Sequence, residues 1–379
     1  MVACANILMN RDAGEVFMFT HRHYVPILKW KQGEYQALLR LTPTIKNRIT
    51  PLIEIPPIGY DYENEKPSAT IDAHLAEFGN RLRAKWQSRN CFVDTHLVGD
   101  SKQMANGQHT LGFVLGKARE NQCSAIPVVR VTSPEPFLAA AKGAIQLDGR
   151  GVCLRLTAGD FDSESLRSDI EAITKSIGAG RSETDIVIDL ADFGYPSKLS
   201  FKTSVMAMLD MVPSLNQWRT LTVAGASFPA SVSQAVEQGV PKELPRKEWT
   251  SYTYLRKELS DSARIPTFGD YGVAHSDVLS LDMRIVKPLA KLRYTVDNAW
   301  YVALGSNVRS NGFGQFKEMC KKLVGEPYFR GPGYSVGDAY IHDCAFGSEP
   351  SGNLTTWVWV STNCHLTKVV ADLASLDAP

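Results

Sequence analysis

The chain has 379 residues, 44% of them hydrophobic and 21% charged, so it can bury a large core in one big α/β domain or in two smaller ones. Its 41 lysines and arginines against 40 aspartates and glutamates give a net charge of +1, which excludes the global field that attracts proteins to nucleic acid or anionic membranes. Any recognition of phosphate must therefore be local.

The beginning of the chain carries no clear targeting signal. Residues 1–23 are predicted to be a loosely attached leader that can be disordered, with Met18 as an alternative translation start. The leader lacks the positive region and long apolar core of a signal peptide, and no apolar run in the chain approaches the ~18 residues of a membrane span. The seven cysteines are odd in number and widely spaced, which favours reduced thiols. We therefore predict a cytoplasmic protein that does not enter a membrane.

Residues 24–40, YVPILKWKQGEYQALLR, establish a unit that recurs about eight times. An apolar run of strand length ends in Lys29 and Lys31, a short turn with a glycine follows, and Glu34 opens a helix. The later strands of this pattern are predicted at 49–55, 91–95, 125–132, 151–157, 185–192, 220–227 and 264–272. Helices with apolar residues spaced three and four apart lie between them.

Short strands that alternate with helices are typical of parallel βαβ units, because parallel neighbours need a crossover connection. Eight units favour a closed (β/α)8 barrel, which we predict for residues 24–327. A doubly wound open sheet is the rival fold. Its dinucleotide-binding version is not supported, because the first turn, KWKQGE, has no GxGxxG.

The repeat breaks after Ser276. Residues 291–305, KLRYTVDNAWYVALG, alternate around Asp297-Asn298 and predict a β-hairpin inside an insertion at 273–310. The following helix, which contains Phe316 and Leu323, is the candidate for the eighth barrel helix. Residues 328–379 are predicted to form a C-terminal β/α elaboration packed on the barrel, with strand-like segments at 339–345 and 355–361. The fold class is thus α/β, a barrel with a C-terminal β-rich elaboration.

Six predicted strands carry one charged residue near their carboxyl end, after two or three apolar residues. These residues are Lys29, Glu54, Asp94, Arg130, Arg155 and Asp189. Because they are in phase, a barrel would gather them at the carboxyl ends of its strands, where such enzymes keep their sites. Alternatively they are structural charges paired with one another, since burying a charge is costly unless it is paired.

A phosphate-bearing ligand such as a nucleotide fits these charges. Phosphate oxygens would be bound by Lys29, Lys31, Arg130 and Arg155. Carboxylates that could act as general base, or alternatively hold a divalent metal, are Glu54, Asp94, Asp189 and Asp270. His275 is the candidate acid–base group because imidazole titrates near neutral pH, and His96 is a secondary candidate. The ligand, the metal and the reaction stay open.

Several segments together resemble the Beta protein family, which is met in prophage and phage-defence loci. They are YVPILKWKQGEYQAL (24–38), ITPLIEIPP (49–57), FGDYGVAH (268–275), KLRYT with a following Trp (291–300), GYSVGDAYI (333–341) and WVSTNCHL (359–366). The resemblance implies a TIM-like barrel and a role in antiviral defence or toxin regulation, since the satellite-phage member restrains the effect of a neighbouring toxic gene. One departure is Cys364-His365, where the family often has His-His.

The alternative function is a non-catalytic partner protein that neutralises or regulates another component of the same locus. Its basis is a concentration of aromatic residues between positions 300 and 359, because aromatic residues are enriched at interaction hot spots. These residues can equally cover one end of the barrel. Nucleic acid is a weaker candidate partner, since the basic and aromatic clusters at 29–31 and 246–249 are sparse.

Overall fold

The computed structural model describes residues 18–259, 264–277 and 287–376. Most of the predicted leader, residues 1–17, lies outside this range. The strands are β1 (Tyr24–Lys29), β2 (Leu52–Glu54), β3 (Tyr60–Asp61), β4 (Lys66–Pro67), β5 (Cys91–Asp94), β6 (Ala125–Val129), β7 (Val152–Thr157), β8 (Thr184–Asp192), β9 (Thr220–Ala226), β10 (Lys242–Pro245), β11 (Thr267–Asp270), β12 (Leu289–Thr295) and β13 (Ala299–Asn307). The helices are α1 (Gln32–Leu39), α2 (Pro43–Lys46), α3 (Ile71–Leu75), α4 (Phe78–Trp86), α5 (Thr110–Glu120), α6 (Glu135–Asp148), α7 (Leu166–Ile177), α8 (Lys198–Met211), α9 (Val232–Ala235), α10 (Lys247–Glu258), α11 (Val308–Asn311), α12 (Gln315–Val324), α13 (Val336–Phe346) and α14 (Leu354–Ser375).

Eight parallel strands form a closed barrel in the order β1, β2, β5, β6, β7, β8, β9, β11. The last strand returns to the first, with Tyr24 opposite Phe268. On the other side of β1, Lys29 lies opposite Glu54, which in turn lies opposite Asp94. The predicted (β/α)8 barrel is therefore confirmed, and its register brings charged strand ends to one level.

The barrel strands are buried on both faces, as parallel strands generally are. One set of alternate residues, including Val25, Leu52 and Phe92, forms a cluster that also contains Ile27, Ile126, Val128, Cys153 and Val187. The other set, including Leu28 and Ile53, packs into the larger core shared with the helices. Because side chains alternate along a strand, the first set lines the interior of the barrel and the second faces outward.

A three-stranded antiparallel sheet, in the order β10, β13, β12, provides the β-rich elaboration. Its hairpin turns at Asp297-Asn298, since Thr295 lies opposite Trp300 and the Val296 N–H donates to the Ala299 carbonyl at 3.0 Å. The structure confirms this predicted turn. Strand β10 lies before the last barrel strand and was not predicted, so the elaboration draws on residues 242–307 rather than on the tail.

The prediction for the eighth barrel helix is wrong. Helix α12 packs against α13 and the β12–β13 hairpin, whereas α14 packs against α1 and β1. The Asn363 amide donates to the Ala37 carbonyl at 3.2 Å across the α1–α14 contact. The place of the eighth helix is therefore taken by the last helix.

The strands predicted at 339–345 and 355–361 are also wrong, because these residues lie in α13 and α14. Helix α14 is buried around nearly its whole circumference, so its sequence shows no polar face from which a helical period could be read. Its start is fixed by Asn353, whose side chain accepts from the Thr356 N–H at 3.0 Å. Among the described helices, none has both the length and the apolar character needed to cross a membrane.

Candidate functional site

Arg155 lies at the centre of a charged cluster at the carboxyl ends of the barrel strands. Its Nη1 donates to Asp94 Oδ2 at 2.6 Å and to Glu54 Oε1 at 2.9 Å, and its Nη2 donates to Asp189 Oδ2 at 2.6 Å. The Arg155 side chain is only 3% exposed. The alternation of β2, β5, β7 and β8 thus brings four of the predicted site residues together, with Arg155 directly contacting three carboxylates.

Tyr271 belongs to the same cluster and was missed from the sequence. Its hydroxyl donates to Asp189 Oδ2 at 2.7 Å and accepts from Arg155 Nη2 at 2.9 Å. The residue directly follows β11 and packs with the interior residues of the barrel. The strand alternation carried the signal, because Tyr271 is in phase with the interior whereas its neighbour Asp270 is not.

Three further basic residues surround this cluster. Lys29 Nζ lies 3.8 Å from Glu54 Oε2 and donates to the carbonyls of His275 at 3.2 Å and Ser276 at 2.8 Å. Arg130 Nη2 lies 3.5 Å from Asp94 Oδ2, and its side chain is 18% exposed. Within the described residues, the buried Nε of Arg130 has no hydrogen-bond partner. Lys31 is exposed. We call Arg130, Lys29 and Lys31 the rim.

The two candidate histidines contribute backbone groups to the mouth of the barrel, which is the end where the strands have their carboxyl termini. The carbonyl of His275 accepts from Lys29, while its ring lies 3.7 Å from Asp192 and 3.6 Å from Asp277. The backbone N–H of His96 donates to Asp94 Oδ1 at 2.8 Å, while its ring Nδ1 lies 2.6 Å from Asp100. The carboxylates that the two rings approach are therefore different from the three that bind Arg155.

Asp270 is not brought to Arg155. Its Oδ1 accepts from the Tyr24 hydroxyl at 2.5 Å, and its Oδ2 lies 2.9 Å from His365 Nε2 on α14. Tyr24 and Phe268, which share its side of the sheet, belong to the outer core. The Asp270 side chain therefore joins the barrel wall to α14 and does not point into the mouth.

The arginines control the electrostatics of the cluster. Burial alone would raise the pKa of Asp94, but the guanidinium groups of Arg155 and Arg130 hold it below its ordinary value. Burial would lower the pKa of Arg155, but Asp189, Tyr271 and Glu54 raise it well above its ordinary value. Both groups therefore stay charged across the physiological pH range.

Glu34, at the start of α1, is a second residue that the sequence did not mark as a site residue. Burial raises its pKa to about 7, against the opposing effect of Lys29 and Lys31. Burial also lowers the pKa of Lys29. Because the Glu34 pKa lies near neutral pH, this carboxyl can hold or release a proton at the edge of the mouth.

The carboxylates do not form a metal site in the part of the chain that is described, where no group of three or more His, Cys, Asp or Glu side chains is arranged to hold an ion. Asp94, Asp189 and Glu54 are all directed at the Arg155 guanidinium instead. The divalent metal that the sequence left open would have to compete with Arg155 for these oxygens.

Three tryptophans from which a protein-binding surface was predicted lie in the core. Trp300 is 1% exposed, Trp357 is 2% exposed and Trp359 is 8% exposed. Trp357 stacks on Phe316 with ring centroids 4.4 Å apart. These three side chains are therefore buried in hydrophobic clusters and do not form an exposed binding surface.

Comparisons with known proteins identify a family for the chain but do not identify an activity. A family model described as Beta protein matches residues 24–371. No curated protein matches the chain. Among solved structures, a mutant tryptophan synthase alpha-subunit from the hyperthermophile Pyrococcus furiosus matches with 9% sequence identity and a TM-score of 0.38, over 68% of this chain and 89% of that chain. At this score the similarity carries no argument about function.

Proposed function

The chain belongs to the Beta protein family, and from this premise we propose that the mouth of its barrel binds a small ligand that carries a phosphate group, such as a nucleotide. One observation supports this: six barrel strands each contribute one charged side chain to the mouth, above an apolar interior. Enzymes with this fold bind their ligands at this end of the barrel.

Arg155 is assigned to the floor of the site rather than to direct phosphate binding. A guanidinium has five N–H donors. The five hydrogen bonds from Arg155 go to Glu54, Asp94, Asp189 twice and Tyr271, so they use the whole donor set. Such a fully bonded cluster is rigid and gives the ligand a fixed surface.

Arg130 is the main phosphate ligand of the proposal. Its Nε has no hydrogen-bond partner in the described residues, and its Nη2 makes only one long contact, at 3.5 Å, with Asp94. These two nitrogens lie on one edge of the guanidinium, which can bind two phosphate oxygens side by side. Lys29, which is bonded to Glu54 and to two backbone carbonyls, and the exposed Lys31 add positive charge at the rim.

Glu54 is the proposed general base. One of its oxygens accepts from Arg155, whereas the buried Oε2 has no hydrogen-bond partner in the described chain. Both oxygens of Asp94 and of Asp189 already accept hydrogen bonds. Of the three carboxylates in the cluster, Glu54 therefore has the oxygen without a hydrogen bond, with the Lys29 ammonium 3.8 Å away, and we assign to it the acceptance of a proton from a ligand hydroxyl.

We further propose that the protein acts in the conflict between phages and bacteria, in antiviral defence or in the regulation of a toxic partner. This proposal depends on the family resemblance alone. It requires that substitutions at the mouth change a phage-related phenotype, such as plaque formation or the toxicity of a neighbouring gene product.

Thermal unfolding with added ligands tests the binding proposal. We expect ATP or inorganic phosphate to raise the midpoint of the wild type by several degrees, since a ligand at 100 times its Kd adds about 2.7 kcal/mol. Arg130→Gln should abolish the shift, whereas Lys175→Gln, at an exposed position in the last turn of α7 and so at the end of the barrel opposite the mouth, should keep it. A lack of any shift with phosphate compounds, or an equal shift in Arg130→Gln, would contradict the proposal.

The same experiment separates the alternatives. A shift that needs Mg²⁺, persists in Arg130→Gln and disappears in Asp94→Asn would assign the carboxylates to a metal. Stable co-purification with a neighbouring gene product, unchanged by Arg130→Gln, would instead favour the partner-protein function.

A further inference from the structure

We propose that a basic surface on the flank of the barrel binds the phosphate backbone of nucleic acid. This surface, the basic flank, consists of Arg40, Arg48, Arg81, Arg83, Lys85 and Arg89. It extends from Arg81 and Lys85, whose charged groups lie over the ring of Tyr35 near the start of α1, to Arg40 and Arg89 beyond the ends of α1 and α4. None of its six residues belongs to the charged cluster or to the rim, so it is a different set of residues from the proposed phosphate-ligand site.

The charge of the chain is segregated along its sequence. Residues 35–53 contain three basic residues and no acidic one, and residues 78–93 contain four basic residues and no acidic one. The rest of the chain then has 34 basic residues against 40 acidic ones. A net charge of +1 thus conceals a local excess of positive charge.

The fold brings these two stretches together. The ring of Tyr35 on α1 has its centroid 5.6 Å from the Arg81 guanidinium and 5.9 Å from the Lys85 ammonium, both on α4. Arg89 Nε donates to Asn47 Oδ1 at 3.3 Å, which joins the end of α4 to the turn before Arg48. The basic residues of both stretches therefore share one surface.

Two arginines of the basic flank donate to neutral oxygens. Arg40 donates to the backbone carbonyl and the side-chain oxygen of Gln36, and Arg83 donates to the Gln122 carbonyl at 3.3 Å. On the adjacent helix α5, by contrast, Arg119 is paired with Asp148. Hydrogen bonds to neutral oxygens leave the positive charge of Arg40 and Arg83 in place.

Like charges also lie close together here. Burial and the neighbouring Arg89 both lower the pKa of Lys46, which lies beneath the basic flank. Holding cations side by side is unfavourable unless an anion offsets the repulsion. A bound polyanion would supply that anion.

The shape and composition of the surface favour nucleic acid. Its cations are spread along two helices and a loop instead of converging on one point, and α4 alone, with nine residues, extends about 13 Å. Five of the six residues are arginine, which binds phosphate bidentately. Protein interfaces need an apolar centre, but Leu39, at 37%, is the one exposed large hydrophobic residue in the two stretches.

Fluorescence anisotropy with a random-sequence 20-bp DNA duplex and a single-stranded RNA 20-mer tests this proposal. We expect the wild type to bind at 50 mM salt and to weaken steeply at 200 mM. Arg81→Gln/Arg83→Gln/Lys85→Gln should lower the affinity at least tenfold and flatten the salt slope by about 2–3. Lys142→Gln/Lys175→Gln/Lys198→Gln, at exposed positions of α6, α7 and α8, removes equal charge and should bind like the wild type.

Arg83→Gln alone provides a second variant should the triple variant unfold, since Arg83 is exposed. We expect this single substitution to reduce the salt slope by about 1. Arg130→Gln should leave nucleic-acid binding unchanged. Failure of the phosphate-ligand proposal at the mouth of the barrel is therefore distinguishable from failure of the nucleic-acid proposal. Three results would overturn the inference: no binding at 20 mM salt, equal losses in the control variant, or competition by polyglutamate as effective as that by DNA. The last would assign the surface to an acidic protein.

Discussion

His365 Nε2 lies 2.9 Å from Asp270 Oδ2, so the last helix is hydrogen-bonded to the last barrel strand. The other ring nitrogen, Nδ1, lies 2.8 Å from Thr295 Oγ1 on β12, and the other oxygen of Asp270 accepts from Tyr24 on β1. All four side chains are fully or almost fully buried. One chain of polar contacts therefore joins four elements, β1, β11, β12 and α14.

We expect His365→Ala to lower the free energy of unfolding by about 3–5 kcal/mol, because Asp270 would lose a buried partner. Asp270→Asn should be less harmful in that background than in the wild type, since the stranded charge is removed. Urea unfolding of both single variants and the double variant measures this coupling. Strictly additive effects would show that the contact is energetically unimportant.

Arg155→Met should be strongly destabilising, because three buried carboxylates would lose their common partner, at about 3–5 kcal/mol. Adding Glu54→Gln, Asp94→Asn and Asp189→Asn to Arg155→Met should restore part of this loss, since the three carboxylates are then neutral; the restoration stays partial because Lys29 loses its ion pair with Glu54. Chemical unfolding of Arg155→Met and of the quadruple variant, each compared with the wild type, tests the expectation. If Arg155→Met leaves stability unchanged, the guanidinium does not hold the cluster together.

Arg130→Gln should behave differently, because the Arg130 side chain is partly exposed and makes one long ion pair. We expect its thermal midpoint to stay within about 2 °C of the wild type, in line with the small contribution of such pairs. A phage-related phenotype should nevertheless be lost. Expression level and midpoint are the controls, and an unchanged phenotype would contradict a functional role for this residue.

Glu248 predicts a pH dependence of stability. Burial raises its pKa from 4.5 to about 7, although Arg246 opposes the shift. Between these pH values the folded chain keeps a proton that the unfolded chain releases, so stability falls as pH rises from about 4.5 to 7 and then levels off, by roughly 3 kcal/mol in total.

Glu248→Gln should remove this pH dependence. The free energy of unfolding of Glu248→Gln relative to that of the wild type should therefore rise between pH 5 and pH 8. Thermal unfolding across that range measures the difference, with Glu164→Gln at an exposed site as the control. A constant difference between Glu248→Gln and the wild type would show that Glu248 does not titrate in this window.

Gly33 permits the close approach of α1 and α14. A Cβ at this position would overlap Val358 Cγ1, so Gly33→Ala should cost about 1–3 kcal/mol. Gly143 on α6 has nothing within 4 Å of its Cβ position, and Gly143→Ala should stabilise the helix by up to about 1 kcal/mol. A lower thermal midpoint for Gly33→Ala together with a higher one for Gly143→Ala would support the α1–α14 packing. Changes of the same sign in both variants would not.

The strand parity of the charged residues could be read from the sequence. Lys29, Glu54 and Asp94 follow apolar residues in phase, and in a closed barrel the same phase means the same side of the wall. Asp270 is one residue out of phase with the interior positions of its strand, so it was wrongly predicted to lie at the mouth. The residue in phase with the interior is Tyr271. Strict alternation along the strand is therefore enough to exclude Asp270 from the mouth.

The C-terminal helices could not be derived in the same way. A helix that is buried on all sides, as α14 is, has apolar residues at every phase, and Trp357, Trp359 and Val360 then look like a strand. Strand β10 is four residues long and gains its identity by pairing with β13, which follows much later in the chain. Tertiary contacts decided both cases, and local patterns do not contain them.

Helix α14 also has a consequence for biosynthesis. It covers part of α1 and β1, and the Ala37–Asn363 contact joins residues 326 positions apart. At a translation rate of roughly 5–20 residues per second, the outer surface of the first unit waits on the order of 20–60 s for its cover to leave the ribosome. Until α14 has emerged, the nascent chain therefore exposes the part of α1 and β1 that this helix covers.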